Sequence, residues 1–132
     1  MRSIKNYMDS IRVDTSGEDV SIFVGPLLAA VMEEFWSIYP SKLTCRGIHK
    51  RLYNKDFIRS PSTISETIHR LEKRGLIHKL KGNGRGPIAH EFVAMCSRDE
   101  FIETSMMKVI GTLRDSFPDE FDKIVDMYFM EK

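Results

Sequence analysis

The stretch SPSTISETIHRLEKRGLIHKLKGNGRG, residues 60–86, constrains this chain more than any other. Ser60 is a strong helix N-cap, and Pro61 sits at the first helical position, where its missing N–H costs nothing. Ile64, Ile68 and Leu71 then form one narrow apolar face. At about 100° per residue, the opposite face carries Ser62, Glu66, His69, Arg70 and Lys73, with Thr63 beside them. Gly75 stops the helix. Residues 76–81 read as a strand. Residues 82–87 read as a hairpin loop whose glycines supply positive φ. A returning strand over residues 88–95 places Ile88, His90, Phe92 and Ala94 on one face and Ala89, Glu91, Val93 and Met95 on the other.

Upstream, Pro26 suits the first turn of a helix. Leu28, Val31, Met32, Phe35 and Tyr39 line one face of it, widened by Leu27 and Trp36. Pro40 ends it by disfavouring helical geometry at Tyr39. Thr44 caps a second helix, residues 45 to about 55. Its Ile48 and Leu52 face inward, and Arg46, Lys50 and Arg51 are left outward. Three helices followed by a glycine-tipped hairpin make a winged helix-turn-helix.

Downstream, Ser97-Arg98-Asp99-Glu100 is a capping box. The helix behind it carries Ile102, Met106, Val109, Ile110 and Leu113 on one face. Pro118 opens a last helix with Phe121, Ile124, Val125, Tyr128 and Phe129 on one face. Isolated helices of this length are marginal in water, so these stripes need a cover. A second copy of the chain is the expected one. The expected fold is mostly α with a small β-hairpin wing, a winged helix-turn-helix domain plus C-terminal dimerisation helices. Residues 1–23 form an N-terminal arm, 24–96 the winged domain and 97–132 the dimerisation region. Within the arm, Ile4, Tyr7, Met8 and Ile11 have helical spacing, and residues 14–19 read as a loop.

Charge sharpens the functional expectation. The chain of 132 residues has a formal net charge of only +1, yet residues 42–85 hold twelve basic and three acidic side chains, a net +9 against −8 elsewhere. That segregation suits a polyanion; its competitor is a solvated, salt-bridged surface. No apolar run approaches the roughly 18–20 residues of a membrane span. No secretory signal is expected at the N-terminus, and the two cysteines, Cys45 and Cys96, read as free thiols of a cytoplasmic protein. The chain has no G-x-S-x-G and no H-E-x-x-H. Its four histidines have no metal-like spacing to each other or to the cysteines, so neither catalysis, metal nor cofactor is expected.

Double-stranded DNA is the expected partner. Ser62, Thr63, Ser65, Glu66 and His69 on the third helix would face base edges in a major groove. Arg46, Lys50, Ser60, Arg70 and Lys73 would contact phosphates. Lys79, Lys81 and Arg85 on the wing, residues 77–94, would straddle the backbone or enter the adjoining minor groove. Glu66 stands apart, because an acid repels phosphate. It either accepts from cytosine N4 or pairs with Arg70 at i+4. Two rival readings are a winged protein-interaction module in a larger transcription assembly, and a MarR-type ligand- or redox-responsive regulator. The redox version would use Cys45, at a helix N-terminus that can depress a thiol pKa, or Cys96.

Specific residues also carry a resemblance. Residues 25–36, GPLLAAVMEEFW, resemble the first helix of the penicillinase-repressor family of winged helix-turn-helix transcriptional regulators. SPSTI at 60–64 and RLEKRGLI at 70–77 resemble its recognition helix and the start of its wing. The resemblance covers about residues 24–115. It implies a homodimeric repressor on a palindromic operator. By position, Ser62, Thr63, Ser65 and Glu66 fall where members contact bases. The chain lacks the C-terminal cysteine cluster of the family's copper-responsive branch and the Asn-Phe bond cleaved in its β-lactam branch. The resemblance therefore leaves the effector unassigned.

Overall fold

The computed structural model describes residues 13–14, 17, 19–80 and 90–130. The amphipathic segment expected at residues 4–11, part of the loop at 14–19, and the hairpin tip at 82–87 with Lys81, Arg85, Ile88 and Ala89 lie outside these residues.

A short helix α1 (Ser21–Val24) leads through Gly25 into α2 (Pro26–Ser37). Gly25 has φ +85°, a conformation that favours glycine. A two-residue strand β1 (Leu43–Thr44) precedes α3 (Cys45–Asn54) and α4 (Pro61–Lys73). Then come β2 (Ile77–Lys79), β3 (Glu91–Ala94), α5 (Arg98–Ser116) and α6 (Pro118–Val125), which runs on as a π-helical turn (Asp126–Met130).

The expected caps form as hydrogen bonds. The Gly47 N–H donates to Thr44 Oγ1 at 3.0 Å, and the Thr63 N–H donates to Ser60 Oγ at 3.1 Å. At α5 the Glu100 N–H donates to Ser97 Oγ at 3.1 Å while the Ser97 N–H donates to Glu100 Oε1 at 3.0 Å. The Ser97 backbone bond, then its hydroxyl, hold the Glu100 carboxyl below the usual range. This box is intact above the ordinary glutamate pKa and weakens as pH falls through the depressed value.

The sheet has the order β1-β3-β2, all antiparallel. Leu43 faces Phe92 across one edge, and Ile77, His78 and Lys79 face Ala94, Val93 and Phe92 across the other. Phe92 and Ala94 enter the core, as their period-2 placement requires. Strand β1 was not foreseen. Two residues between Pro40 and a helix cap carry no periodicity, and only the approach of β3 makes them a strand.

Val31, Met32, Phe35, Ile48, Ile64, Ile68, Leu71 and Ile77 meet in one core, each at most 1% exposed. Phe101 of α5 joins them, its ring 5.2 Å from that of Trp36 and 6.1 Å edge-on from that of Phe23. Val20 is buried too, so the last residues before α2 pack on the body. Arg98 clasps this corner. Its Nε donates to Glu33 Oε1 at 2.9 Å, and Nη2 donates to the Asp19 carboxylate at 2.7 and 2.8 Å.

Three expectations need correction. Tyr39 is not on the core stripe: α2 ends at Ser37, and the phenol ring lies in the following turn, exposed. Arg51 does not face solvent freely. Its Nε donates to Glu34 Oε1 at 3.0 Å and Nη2 donates to Ser37 Oγ at 2.9 Å. Glu34 is 2% exposed, and Lys55 Nζ reaches its second oxygen at 2.7 Å. Ile102, expected on the face that awaits a second copy, packs half-buried against the core, beside the buried Phe101 and Ser105 that seat α5. Among the described residues no helix is long and apolar enough to cross a membrane.

Candidate nucleic-acid interface

Helices α3 and α4 and the turn between them form the helix-turn-helix. Asp56 turns the chain with φ +61°, and the Phe57 N–H donates back to the Leu52 carbonyl at 2.9 Å. Arg59 follows, its guanidinium 4.3 Å above the Phe57 ring and donating to the Ile58 carbonyl at 2.9 Å. The His49 Nε2 is 3.0 Å from the Arg59 carbonyl. This network fixes where α4 begins.

α4 is buried along Ile64, Thr67, Ile68 and Leu71 and exposed along Ser62, Ser65, Glu66, His69, Arg70 and Lys73. Thr67 is buried without penalty because its hydroxyl donates to the Thr63 carbonyl at 2.8 Å. The first turn is already engaged. Ser60 Oγ donates to Thr63 Oγ1 at 2.9 Å and lies 3.1 Å from Ser62 Oγ. Ser60 therefore holds the helix start, and Thr63 is half-buried behind Ser62. Ser65 lies beside the Cys45 thiol of α3 and acts to lower its pKa.

The geometry separates the basic residues by what they face. Arg51 and Lys55 are spent on Glu34, and Lys42 Nζ pairs with Glu91 of β3 at 3.1 Å. Arg46, Lys50, Arg59, Arg70, Lys73 and Lys79 are exposed, and among the described residues none has an acidic partner within 4.0 Å. Arg46 and Lys50 lie one turn apart on α3, Arg70 and Lys73 on the last turns of α4, and Lys79 at the end of β2. Arg59 is the cation that sequence reasoning missed as a site residue. Its place immediately before the Ser60 cap was the available signal.

Among the described residues no ion pair joins Glu66 to Arg70 despite their spacing. Arg70 lines a cleft on its other side, described below. Glu66 stands exposed on the helix face that also carries Ser62 and Ser65.

The surroundings of Cys45 weigh against the redox reading. Burial pushes its thiol up from the usual range, outweighing the Ser65 hydrogen bond and the backbone, which act downward. A raised pKa means less thiolate at neutral pH, hence a slow nucleophile. Cys96 is buried. Both thiols should therefore react with iodoacetamide at pH 7.5 more slowly than free cysteine does, and mild peroxide should leave DNA affinity within about twofold. Rapid alkylation of the folded chain at Cys45 would revive redox sensing. Among the described residues no group of three or more His, Cys, Asp or Glu could hold a metal ion.

A three-helix core, a three-stranded antiparallel sheet and an exposed, cationic second helix of a helix-turn-helix define a winged-helix protein of the DNA-binding class. Residues 24–128 match the model of the penicillinase repressor family, and the chain belongs to that family of transcriptional repressors. A comparison with curated proteins finds no match.

Proposed function

We propose that the chain is a homodimeric, sequence-specific repressor that reads a palindromic operator in the cytoplasm. The observation that carries this reading is the set of exposed cations around α4 that have no acidic partner among the described residues, whereas Lys42, Arg51 and Lys55 are paired with Glu91 and Glu34. Helix α4 enters the major groove. Ser62, Thr63, Ser65, Glu66 and His69 are its base-facing residues, with Thr63 the most withdrawn because it is half-buried. Glu66 accepts a hydrogen bond from a cytosine N4 amine. Arg46, Lys50, Arg59, Arg70, Lys73 and Lys79 neutralise phosphates, with Lys81 and Arg85 continuing the wing. Ser60 acts by holding the helix start. Residues 24–96 form the reading domain and 97–132 the dimerisation region, where Met106, Ile110, Leu113, Ile124 and Tyr128 stay exposed in one subunit and Val109, Phe121 and Val125 are half-buried.

The test is an operator selection from random DNA, followed by titration of the selected duplex between 50 and 200 mM salt, conditions chosen to expose counterion release. Affinity should fall steeply as salt rises, with log K linear in log salt. Arg46→Ala with Lys50→Ala should lower that slope by about 2, roughly one unit per lost phosphate contact. Affinity indifferent to both sequence and salt would defeat the reading.

A further inference from the structure

Beside the C-terminal end of α4 lies an open cleft of about 540 Å³. Drug-sized ligands occupy sites of roughly 300–1,000 Å³, so the space suits a small molecule. One wall is cationic, formed by Arg70, Lys73 and Arg74 of the helix end and its cap. The facing wall is apolar, formed by Ile22, Phe23 and Val24 of α1, with Gly25 beyond them. A Cβ added at Gly25 would meet nothing within 4 Å, so the floor there is open. The apolar wall is well anchored: the Asp14 N–H donates to the Ile22 carbonyl at 2.8 Å, and Phe23 packs on Phe101.

We propose that this cleft binds a small organic anion with an apolar body, and that such a ligand competes with DNA for Arg70 and Lys73. The competition rests on the DNA-binding reading above; the site itself does not. Arg70 and Lys73, both exposed, offer a guanidinium fork and an ammonium to a carboxylate or phosphate head. The body of the ligand lies along Ile22, Phe23 and Val24, removing apolar surface from water. Asp14 lines the cleft with Val13, away from the helix end in sequence and opposite in charge to the cations. A bare hydrated ion gains nothing from the apolar wall, and a neutral body gains nothing from the cations. Both parts are needed, and the head draws Arg70 and Lys73 away from the groove.

The experiment uses the full chain and three probes in calorimetric titration at fixed ionic strength: phenyl phosphate, inorganic phosphate and benzyl alcohol. Phenyl phosphate should bind once per chain, with each of the other two at least about tenfold weaker, the size of one lost favourable contact of about 1.4 kcal/mol. Ile22→Ser removes part of the apolar wall, and Val13→Asp adds an anion to the cleft. Neither residue is among the proposed DNA contacts. Each should weaken phenyl phosphate about tenfold and leave operator affinity without ligand within about twofold. Should Ile22→Ser fail to fold, Val13→Asp carries the test alone. Saturating phenyl phosphate should then weaken operator binding by about tenfold or more in the parent chain and less in the variants. No phenyl phosphate binding, binding matched by inorganic phosphate, or binding insensitive to the folded variants would overturn the site. Binding at the cleft with unchanged operator affinity would overturn the competition and leave the DNA reading standing. A chain that binds no operator would sink that reading, while the direct titration still decides the site.

Discussion

A chain carrying Ile110→Glu and Leu113→Glu is expected to be a folded monomer that has lost most of its affinity for a palindromic operator. Both residues lie on α5 beyond the turns that touch the core, and they are 46% and 47% exposed in the single subunit. Their replacement therefore removes nothing from the winged domain. Around them Met106, Met107, Phe117, Ile124, Met127, Tyr128 and Phe129 are also about half exposed or more. A soluble chain rarely leaves so large a contiguous apolar surface uncovered, and a second copy offers the same surface in return. Two glutamates per chain at that contact would place four carboxylates in a space meant to exclude water. Sedimentation equilibrium should show a dimer for the parent and a monomer for the variant, with unchanged helical circular dichroism. Losing the second reading head removes the avidity of two linked sites, about 10²–10⁴-fold. Affinity for an isolated half-site should stay close to that of the parent. A variant that remains dimeric, or binds the palindrome as tightly as before, would remove these helices from the dimer contact.

Arg51→Ala combined with Lys55→Ala is expected to destabilise the fold by about 2 kcal/mol. Breaking a buried pair by deleting one side costs about 3–5 kcal/mol because a charge is left uncompensated. Here the acid is the buried member, with its side chain 3% exposed, whereas Arg51 and Lys55 are 37% and 59% exposed, so solvent screening discounts the figure. The reverse deletion, Glu34→Leu, should cost less, since both cations can turn back into water. Adding Glu34→Leu to the double variant should recover most of the loss. Urea unfolding of the four chains measures all three differences. A double variant within about 0.5 kcal/mol of the parent, the ordinary span of a surface change, would mean that Glu34 does not depend on these cations. Operator salt dependence should be unchanged in the double variant, since Arg51 and Lys55 are held by Glu34 rather than offered to phosphate.

Both expectations arise where local pattern and three-dimensional neighbours disagree. Arg51 has the spacing of an outward helix residue, yet its partner sits 17 positions earlier, on α2. Helical periodicity gives direction around one axis and says nothing of what the neighbouring helix presents. The same gap hid β1, which exists only because β3 runs beside Leu43 and Thr44. It hid the use of Phe101 and Ser105 to seat α5 on the core. The candidate reading face was more legible. Ser62, Ser65, Glu66, His69, Arg70 and Lys73 are exposed as their positions around α4 require, because the opposite face of that short helix is fully consumed by Ile64, Ile68 and Leu71.

Sequence alone determined the starts and stops of the helices, the order of helix, turn, helix and hairpin, and the concentration of charge in the middle of the chain. These are local matters: a Ser or Thr cap, a proline at the first turn, a glycine at positive φ and an apolar stripe are each decided within a few residues. Tertiary structure decided which charges remain available. It paired Arg51 and Lys55 with the buried Glu34 and Lys42 with Glu91 across the sheet, half-buried the Cys45 thiol, and left Arg70 unpaired with Glu66 and lining a cleft with α1. Pairing energies depend on distance and dielectric, and both are set by elements far apart in the chain.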